Sequence, residues 1–339
     1  MSKNRYFKQE MCSFIGGQGQ QHISQKHVLI VGMGALGSAN AEMLVRSGIG
    51  TLSIVDRDYV EWSNLHRQQL YTEVDCKEFI PKAIAAKKRL SAINSEVTIN
   101  EFVMDADSVN LQPLMEDVDV IIDATDNFDI RFILNDLSQK YQTPFIFGSC
   151  VASYGMTYTI LPGKTPCLHC LLKKIPMTGA TCDSVGVINP IVQLIAAYQV
   201  TECMKLLVGD EDSLRTTFYS IDLWKNQYYP FKVDKAKRED CPSCGLHPSY
   251  PYLQYESRTK TSILCGRNTV QLRPSSSADF SLDMLERKLK KSWDVKRNPF
   301  LLSCEIDSYR FVFFQDGRVF IHGVDNIQSA KKLYYSLIG

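Results

Sequence analysis

A buried strand, a glycine turn and a helix follow one another without a break in "HVLIVGMGALGSANAEMLVRSG", residues 27–48. This stretch constrains the fold more than any other. The unbroken apolar run before the turn suits a strand covered on both faces, as in a parallel sheet. Gly32, Gly34 and Gly37 fit G-x-G-x-x-G between that strand and the helix it opens. Such a turn lets the backbone approach a phosphate, and the helix start offers it free N–H groups. A second strand, "TLSIVD", ends on Asp56, where a carboxylate can accept hydrogen bonds from ribose hydroxyls. A tight turn that only packs helix on sheet would use the same glycines. Strand, turn, helix and acid together favour a nucleotide, without choosing between NAD and ATP.

The alternation continues. "PKAIAAKKRLSAIN" reads as a helix with Pro81 near its start. "VTINEFV", "VDVIIDATD" and "PFIFGSC" read as strands, with helices between them around 108–115 and 128–140. This predicts an α/β fold with a Rossmann-like, doubly wound and mostly parallel sheet. After Cys150 the pattern changes to antiparallel strands, "SYGMTYTILPG" and "TTFYSIDLWKNQYYPFKV", either side of the apolar helix "INPIVQLIAAYQVTECMKLLVG". The Pro/Tyr-rich join "GLHPSYPYL" divides the chain into a nucleotide-binding domain, 1–248, and a small α+β unit, 249–339. The unit shows a hairpin at "SILCGRNTVQLRP", a helix "SLDMLERKLKK", strands "FLLSCEI" and "YRFVFFQDGRVFIHG", and a closing helix. A docking or oligomerisation role is the expectation for it.

The formal net charge is +1, so no global field recruits nucleic acid or an anionic membrane. Phosphate chemistry must come from local cations. The N-terminal stretch is polar and broken, which predicts a soluble cytoplasmic protein. Eleven cysteines then imply reduced thiols, metal ligation or catalysis. Cys167 and Cys170 in "PCLHC" and Cys241 and Cys244 in "CPSC" form two Cys-x-x-Cys pairs, the ligand set of a closed tetrahedral zinc site. A redox pair or small buried hydrophobes would read alike, but two pairs in turn-rich settings favour structural zinc. His169 between the first pair is a bystander on this reading. Cys12, Cys76, Cys150, Cys203, Cys265 and Cys304 lie mostly in apolar runs and are expected in the core.

Between the second strand and the next helix lies "VDRDYVEWSNLHRQQL", whose polar Ser63, Asn64, Arg67 and Gln68 have no evident use in a dehydrogenase. With "GMGALG", "VDRD", "SNLHRQ", Pro81–Lys82, "DATDN", "PCLHC", "TCDSVGV" and "CPSC" in this order, residues 5–248 resemble the ThiF/MoeB (HesA) adenylyltransferases. These are bacterial relatives of ubiquitin-activating enzymes. The resemblance implies ATP-dependent adenylylation of the C-terminal glycine of a small ubiquitin-like sulfur-carrier protein ending in Gly-Gly, with release of pyrophosphate. It implies that Asp56 holds the ribose, that Asn64, Arg67 and Lys82 contact the triphosphate, and that Asp126 binds Mg²⁺. Gly32, Gly34, Ala35 and Gly37 in the turn, with Asp58, Ser63, Gln68 and Asn127, complete the implied ATP site. It further implies a homodimer.

The chemistry is consistent with those residue types. A carboxylate is already nucleophilic at neutral pH, so no general base is needed. The obstacle is bringing one anion onto another, which calls for alignment and for charge neutralised over the phosphates. Arg67 supplies a planar fork, Lys82 a point charge and Asp126 an oxygen ligand for the metal. Two positions depart from the family's commonest pattern. Lys8 in "RYFKQ" replaces an arginine that reaches the partner subunit's ATP, and Ala35 stands where a fourth glycine is frequent. Cys182 matches a crossover-loop cysteine that is covalent in thiamine-pathway members and dispensable in molybdopterin-pathway ones, so both roles stay open. An NAD-dependent oxidoreductase, a non-catalytic scaffold for a ubiquitin-like partner and a tRNA-modifying relative that adenylates a small carboxylate on RNA are the competing readings. The motifs do not separate the thiamine from the molybdopterin pathway.

Overall fold

The computed structural model describes residues 5–172, 185–254, 261–264, 268–273 and 281–338. Contacts divide the chain into two compact units. The first runs through Cys76, resumes at Pro81 and again at Val187, while the second holds Lys77–Ile80 and the C-terminal residues.

The first unit is built on eight strands. They are β1 (His27–Val31), β2 (Thr51–Asp56), β3 (Thr98–Val103), β4 (Val120–Asp123), β5 (Phe145–Val151), β6 (Tyr154–Ile160), β7 (Thr217–Asp222) and β8 (Gln227–Lys232). Their order is β3-β2-β1-β4-β5-β6-β7-β8. Pairings from β3 through β5 are parallel and those from β5 to β8 antiparallel. The strand order reverses between β1 and β4, the switch point where doubly wound sheets open a crevice for ligand. Register sets the strand ends level there: Val31 lies opposite both Val55 and Asp123. The glycine turn, Asp56 and the "DATDN" turn therefore leave the sheet at one end of the strands.

Helix ends follow local chemistry. Ala35–Arg46 stops at Ser47, and Gly48 takes φ +79°, the left-handed geometry glycine adopts without strain. Lys82–Ile93 starts after Pro81, and Phe128–Tyr141 has Asn127 as its N-cap and a left-handed Gln142 beyond its end. The helix expected around 108–115 is reduced to the short turn Gln112–Met115. Asp107 draws the N–H groups of Val109 and Asn110 onto its carboxylate (2.9 and 2.7 Å), and Pro113 disfavours helical geometry in the residue before it. A short helix, Gly16–Ile23, is an element that the sequence patterns did not signal.

Asn189–Val208 is long and apolar enough to cross a membrane by length and composition alone. Here it packs on β5, β6 and the helix Ala35–Arg46. Its Gln199 and Glu202 are buried and hydrogen-bonded, Gln199 to the Asp123 and Ile146 carbonyls and Glu202 to Thr159. It is a core helix of the first unit.

The turn Pro251–Gln254 falls beyond residue 248 yet belongs to the first unit. Tyr252 stacks on Phe132 with ring centroids 4.5 Å apart, and its N–H donates to Asp136 at 2.9 Å.

The second unit is a separate antiparallel sheet of β9 (Thr261–Leu264), β10 (Thr269–Leu272), β11 (Val295–Arg297), β12 (Leu301–Ile306), β13 (Tyr309–Phe314) and β14 (Val319–His322). Its order is β11-β12-β13-β14-β10-β9. Leu282–Leu289 and Ile327–Ile338 close one face over Val270, Leu302, Phe311, Phe313 and Ile321. The charged edge strand β11 has no sequence signature; three residues carry too little alternation to read. Cys76, Cys150, Cys203 and Cys304 are buried, whereas Cys12 is exposed on the N-terminal segment.

Candidate active site

The three glycines of the turn differ in what holds them. Gly32 has φ +92°, and a Cβ there would sit 2.6 Å from the Ala124 carbonyl oxygen. At Gly37 a Cβ would lie 1.9 Å from the Gly32 oxygen. Both are demanded by the protein's own packing. Among the described residues a Cβ at Gly34 would meet only Gln68 Nε2, at 3.9 Å, so they leave that space open. The helix beginning at Ala35 presents its first N–H groups to the same space, without intrahelical acceptors.

Asp56 braces this turn. Its Oδ2 accepts the Met33 N–H at 2.6 Å and its Oδ1 the Asp58 N–H at 2.7 Å. Burial pushes its carboxyl up, Lys82 pulls it down, and the Asp58 charge adds to the rise. The buried Tyr71 hydroxyl donates to the Met33 carbonyl at 2.6 Å from the far side of the polar stretch. Tyr71 was not among the residues singled out from sequence.

Within that stretch a single turn, Trp62–Asn64, sets the side chains. Asn64 is buried, with its Oδ1 accepting the Glu61 N–H at 3.1 Å. Arg67, half-buried, folds back to donate from Nη1 to the Ser63 carbonyl at 2.7 Å. Gln68 is 3% exposed and its Oε1 has no hydrogen-bond partner among the described residues. A buried amide oxygen without a partner is costly; the Nε2 of the same side chain borders the space at Gly34.

Lys82 is 3% exposed, with Nζ 3.0 Å from Asp58 Oδ2. Its N–H donates to the Asp58 carbonyl at 2.9 Å. The cation expected to wait for a phosphate is thus already paired. An ammonium has three donors, so the pair leaves capacity for a further anion while holding Lys82 at the helix start. Arg57, next to Asp56, pairs with Asp105 at 3.0 Å.

At the end of β4, Asp123 is fully buried. Its Oδ1 accepts the Thr125 N–H and Oγ1 at 2.9 and 2.7 Å, and Arg131 Nε faces its Oδ2 at 3.2 Å. Burial pushes this carboxyl up and the Arg131 charge opposes it. Asp126 is exposed beyond the turn, within the field of Arg57. Asn127 spends its Oδ1 on the Asp129 N–H at 2.7 Å, as the helix cap. Sequence reasoning missed Arg131, although its place four residues after the capping Asn127 puts it back over the turn.

Two expected site residues are not gathered here. Tyr6 packs on Gly48, where a Cβ would come 2.4 Å from its ring. Lys8, two residues on and exposed, therefore lies at the end of Ala35–Arg46 remote from the glycine turn, about 18 Å of helix away. Cys182 lies outside the described residues.

The four cysteines converge. Cys167 and Cys241 place their Sγ atoms 3.6 Å apart, Cys170 and Cys244 3.5 Å, and all four lie within 4.8 Å of one another. A tetrahedral shell with bonds of about 2.3 Å separates neighbouring sulfurs by about 3.8 Å, so the cluster fits zinc, with no position open for a substrate. His169 turns away to Ser243 at 3.3 Å and is not part of the cluster. The open cradle at Gly34 and the Gln68 Nε2 donor beside it fit a nucleotide phosphate in the same sense. The exposed Asp126 carboxylate is a hard oxygen donor suited to Mg²⁺.

A family model described as the ThiF family matches residues 6–243. The chain belongs to the ThiF family. It is 48% identical over 336 residues to the sulfur carrier protein ThiS adenylyltransferase of Bacillus subtilis, covering 99% of each chain. It is 32% identical to the sulfur carrier protein adenylyltransferase of Thermus thermophilus, over 73% of this chain and 92% of that one. The fold resembles that of E. coli MccB solved with ATP, with a TM-score of 0.62 and 22% identity over 72% of this chain and 75% of that one. The Bacillus match takes in the C-terminal part of the second unit as well, which lies beyond the ThiF match.

Proposed function

We propose that the protein uses ATP to adenylylate the C-terminal glycine carboxylate of a small ubiquitin-like sulfur-carrier protein. The observation that carries the reading is the shared level at which β1, β2 and β4 end. It brings the Gly32–Gly37 turn, Asp56 and the turn that carries Asp126 to one end of the sheet, which supports a nucleotide site there, completed by Arg67 and by the Lys82 that pairs with Asp58. The near full-length likeness to an enzyme named for ThiS favours a ThiS-type carrier.

On this reading the Gly34 turn and the helix start hold the phosphates, and Asp56 orients the ribose. A carboxylate oxygen of the carrier attacks the α-phosphorus. The bond from that phosphorus to the bridging oxygen breaks, and pyrophosphate leaves with the electron pair. No proton has to move. Arg67 swings off the Ser63 carbonyl onto the phosphates, and Lys82 shares its charge between Asp58 and the anion, so charge is neutralised where it builds. Asp126 would hold Mg²⁺, which would supply positive charge against the phosphates. Asn64 and Gln68 fix the wall of the cradle. Zinc in the four-thiolate cluster is structural. The active protein is a cytoplasmic homodimer in which Lys8 serves the partner's site, and Cys182 is the residue to test for a covalent link to the carrier.

The test is exchange of labelled pyrophosphate into ATP, with and without a carrier ending in Gly-Gly. Exchange that requires the carrier, and falls at least about a hundredfold in Asp126→Ala, supports the reading. Nicotinamide dinucleotide binding without exchange would instead favour an oxidoreductase. Carrier binding with neither activity would favour a scaffold.

A further inference from the structure

The turn that presents Asp126 is held from beneath by a charge the proposed chemistry does not use. Arg131 is 4% exposed and Asp123 fully buried. Burying two charges carries a desolvation cost that their attraction must repay, and well-packed apolar side chains often do as well for stability. Stability alone is therefore a weak reason for such a pair at this place.

Its geometry supplies a better one. Arg131 Nη2 donates to the Thr125 carbonyl at 2.6 Å while Nε faces Asp123 Oδ2 at 3.2 Å. Asp123 Oδ1 accepts from Thr125 N–H and Oγ1. Asn127 caps the helix on the other side. The guanidinium is packed over the rings of Phe128 and Phe147, 4.9 and 5.3 Å from their centroids, which fixes its plane. Residues 123, 125 and 127 are thus each tied down, and Asp126 between them keeps an exposed carboxylate, within the field of Arg57.

We propose that Arg131, clamped to Asp123, is a positioning residue that shapes the Asp123–Asn127 turn so that the Asp126 carboxylate faces the Mg²⁺–nucleotide. This rests on the reading of Asp126 as the metal ligand. Arg131 touches no reacting atom in this scheme. Partners that orient a ligand from behind are worth about 10–100-fold in metal affinity, and Arg131 acts on the backbone that carries the ligand.

The full-length protein would be compared as wild type, Arg131→Met, Arg131→Lys, Asp123→Asn and Asp126→Asn. Mn²⁺ binding in the presence of a non-hydrolysable ATP analogue is followed by electron paramagnetic resonance, and nucleotide binding without metal by calorimetry. Neither measurement needs a carrier, so failure of the carrier assignment leaves this test intact. Arg131→Met should weaken Mn²⁺ about tenfold or more, with metal-free nucleotide affinity unchanged. Arg131→Lys should recover part of the loss, because an ammonium can reach the Thr125 carbonyl but cannot also span to Asp123. Asp123→Asn, which keeps shape and loses charge, should match Arg131→Met in direction and guards against a variant that fails to fold. Lower melting temperatures with wild-type Mn²⁺ affinity in the folded variants would overturn the proposal. If Asp126→Asn alone left Mn²⁺ binding intact, the reading of Asp126 itself would fall.

Discussion

Gly34 and Gly37 stand three residues apart in one motif, and the structure assigns them opposite dependences. At Gly37 an added Cβ would lie 1.9 Å from the Gly32 carbonyl oxygen. Both sides of that contact are backbone, so no rotamer change relieves it. Gly32, with φ +92° and its own close contact to the Ala124 carbonyl, cannot retreat. Gly37→Ala must push the helix off the turn, and overpacking of this kind costs about 1–3 kcal/mol or more. For a unit of this size that is a fall of roughly 2–4 °C in Tm per kcal/mol. Among the described residues Gly34→Ala meets only the end of Gln68, at 3.9 Å, and it replaces a tolerated helix N-cap with a poorer one at a cost of about 1 kcal/mol. Its methyl group, however, enters the space where the phosphates are proposed to lie. Thermal melts followed by tryptophan fluorescence, with ATP binding by calorimetry, separate the two. Gly37→Ala should melt well below wild type. Gly34→Ala should melt close to wild type and lose at least about tenfold in ATP affinity, or about 1.4 kcal/mol. Normal ATP binding by a folded Gly34→Ala would refute the placement of the phosphates. A Gly37→Ala melting with wild type would refute the packing argument.

Two further outcomes follow from the first unit. The purified protein should carry one zinc per chain by elemental analysis, and Cys241→Ser should abolish it. The first cysteine turn latches onto Phe128–Tyr141 through Leu168 N–H to Asn135 (2.8 Å), and the segment that follows the second through Tyr252 N–H to Asp136 (2.9 Å). Zinc loss should therefore raise amide exchange around Leu134–Gln139, and unchanged protection there would contradict a stapling role. Separately, burial holds the His27 imidazole below its ordinary 6.5, against the raising influence of Asp117 and Asp119. The unfolded chain then takes up its proton first as pH falls. This group's contribution is complete above 6.5 and lost progressively below it. His27→Gln should flatten urea-measured stability between 6.5 and the folded-state value, and an unaltered slope would exclude His27 as its source.

The strand–turn–helix run, the alternation to Cys150 and the hairpin after it were legible because their hydrophobic period is local. So were the glycines, Asp56 and the two Cys-x-x-Cys pairs, whose spacing carries their chemistry. What sequence patterns alone could not supply was partnership. Asp58 lies 24 residues before Lys82, and only the level ends of β1, β2 and β4 bring the acid, the lysine and the "DATDN" turn to one end of the sheet. The same holds for Asp123 and Arg131, which read as ordinary charges until burial forces them together. "VDRDYVEWSNLHRQQL" could be read as phosphate-handling, but not that Lys82 would arrive already paired or that Gln68 would be left with an unmet oxygen. Residue type and spacing encode what a side chain can do. Which charge it must share in a low-dielectric crevice is decided only when distant segments are packed into contact.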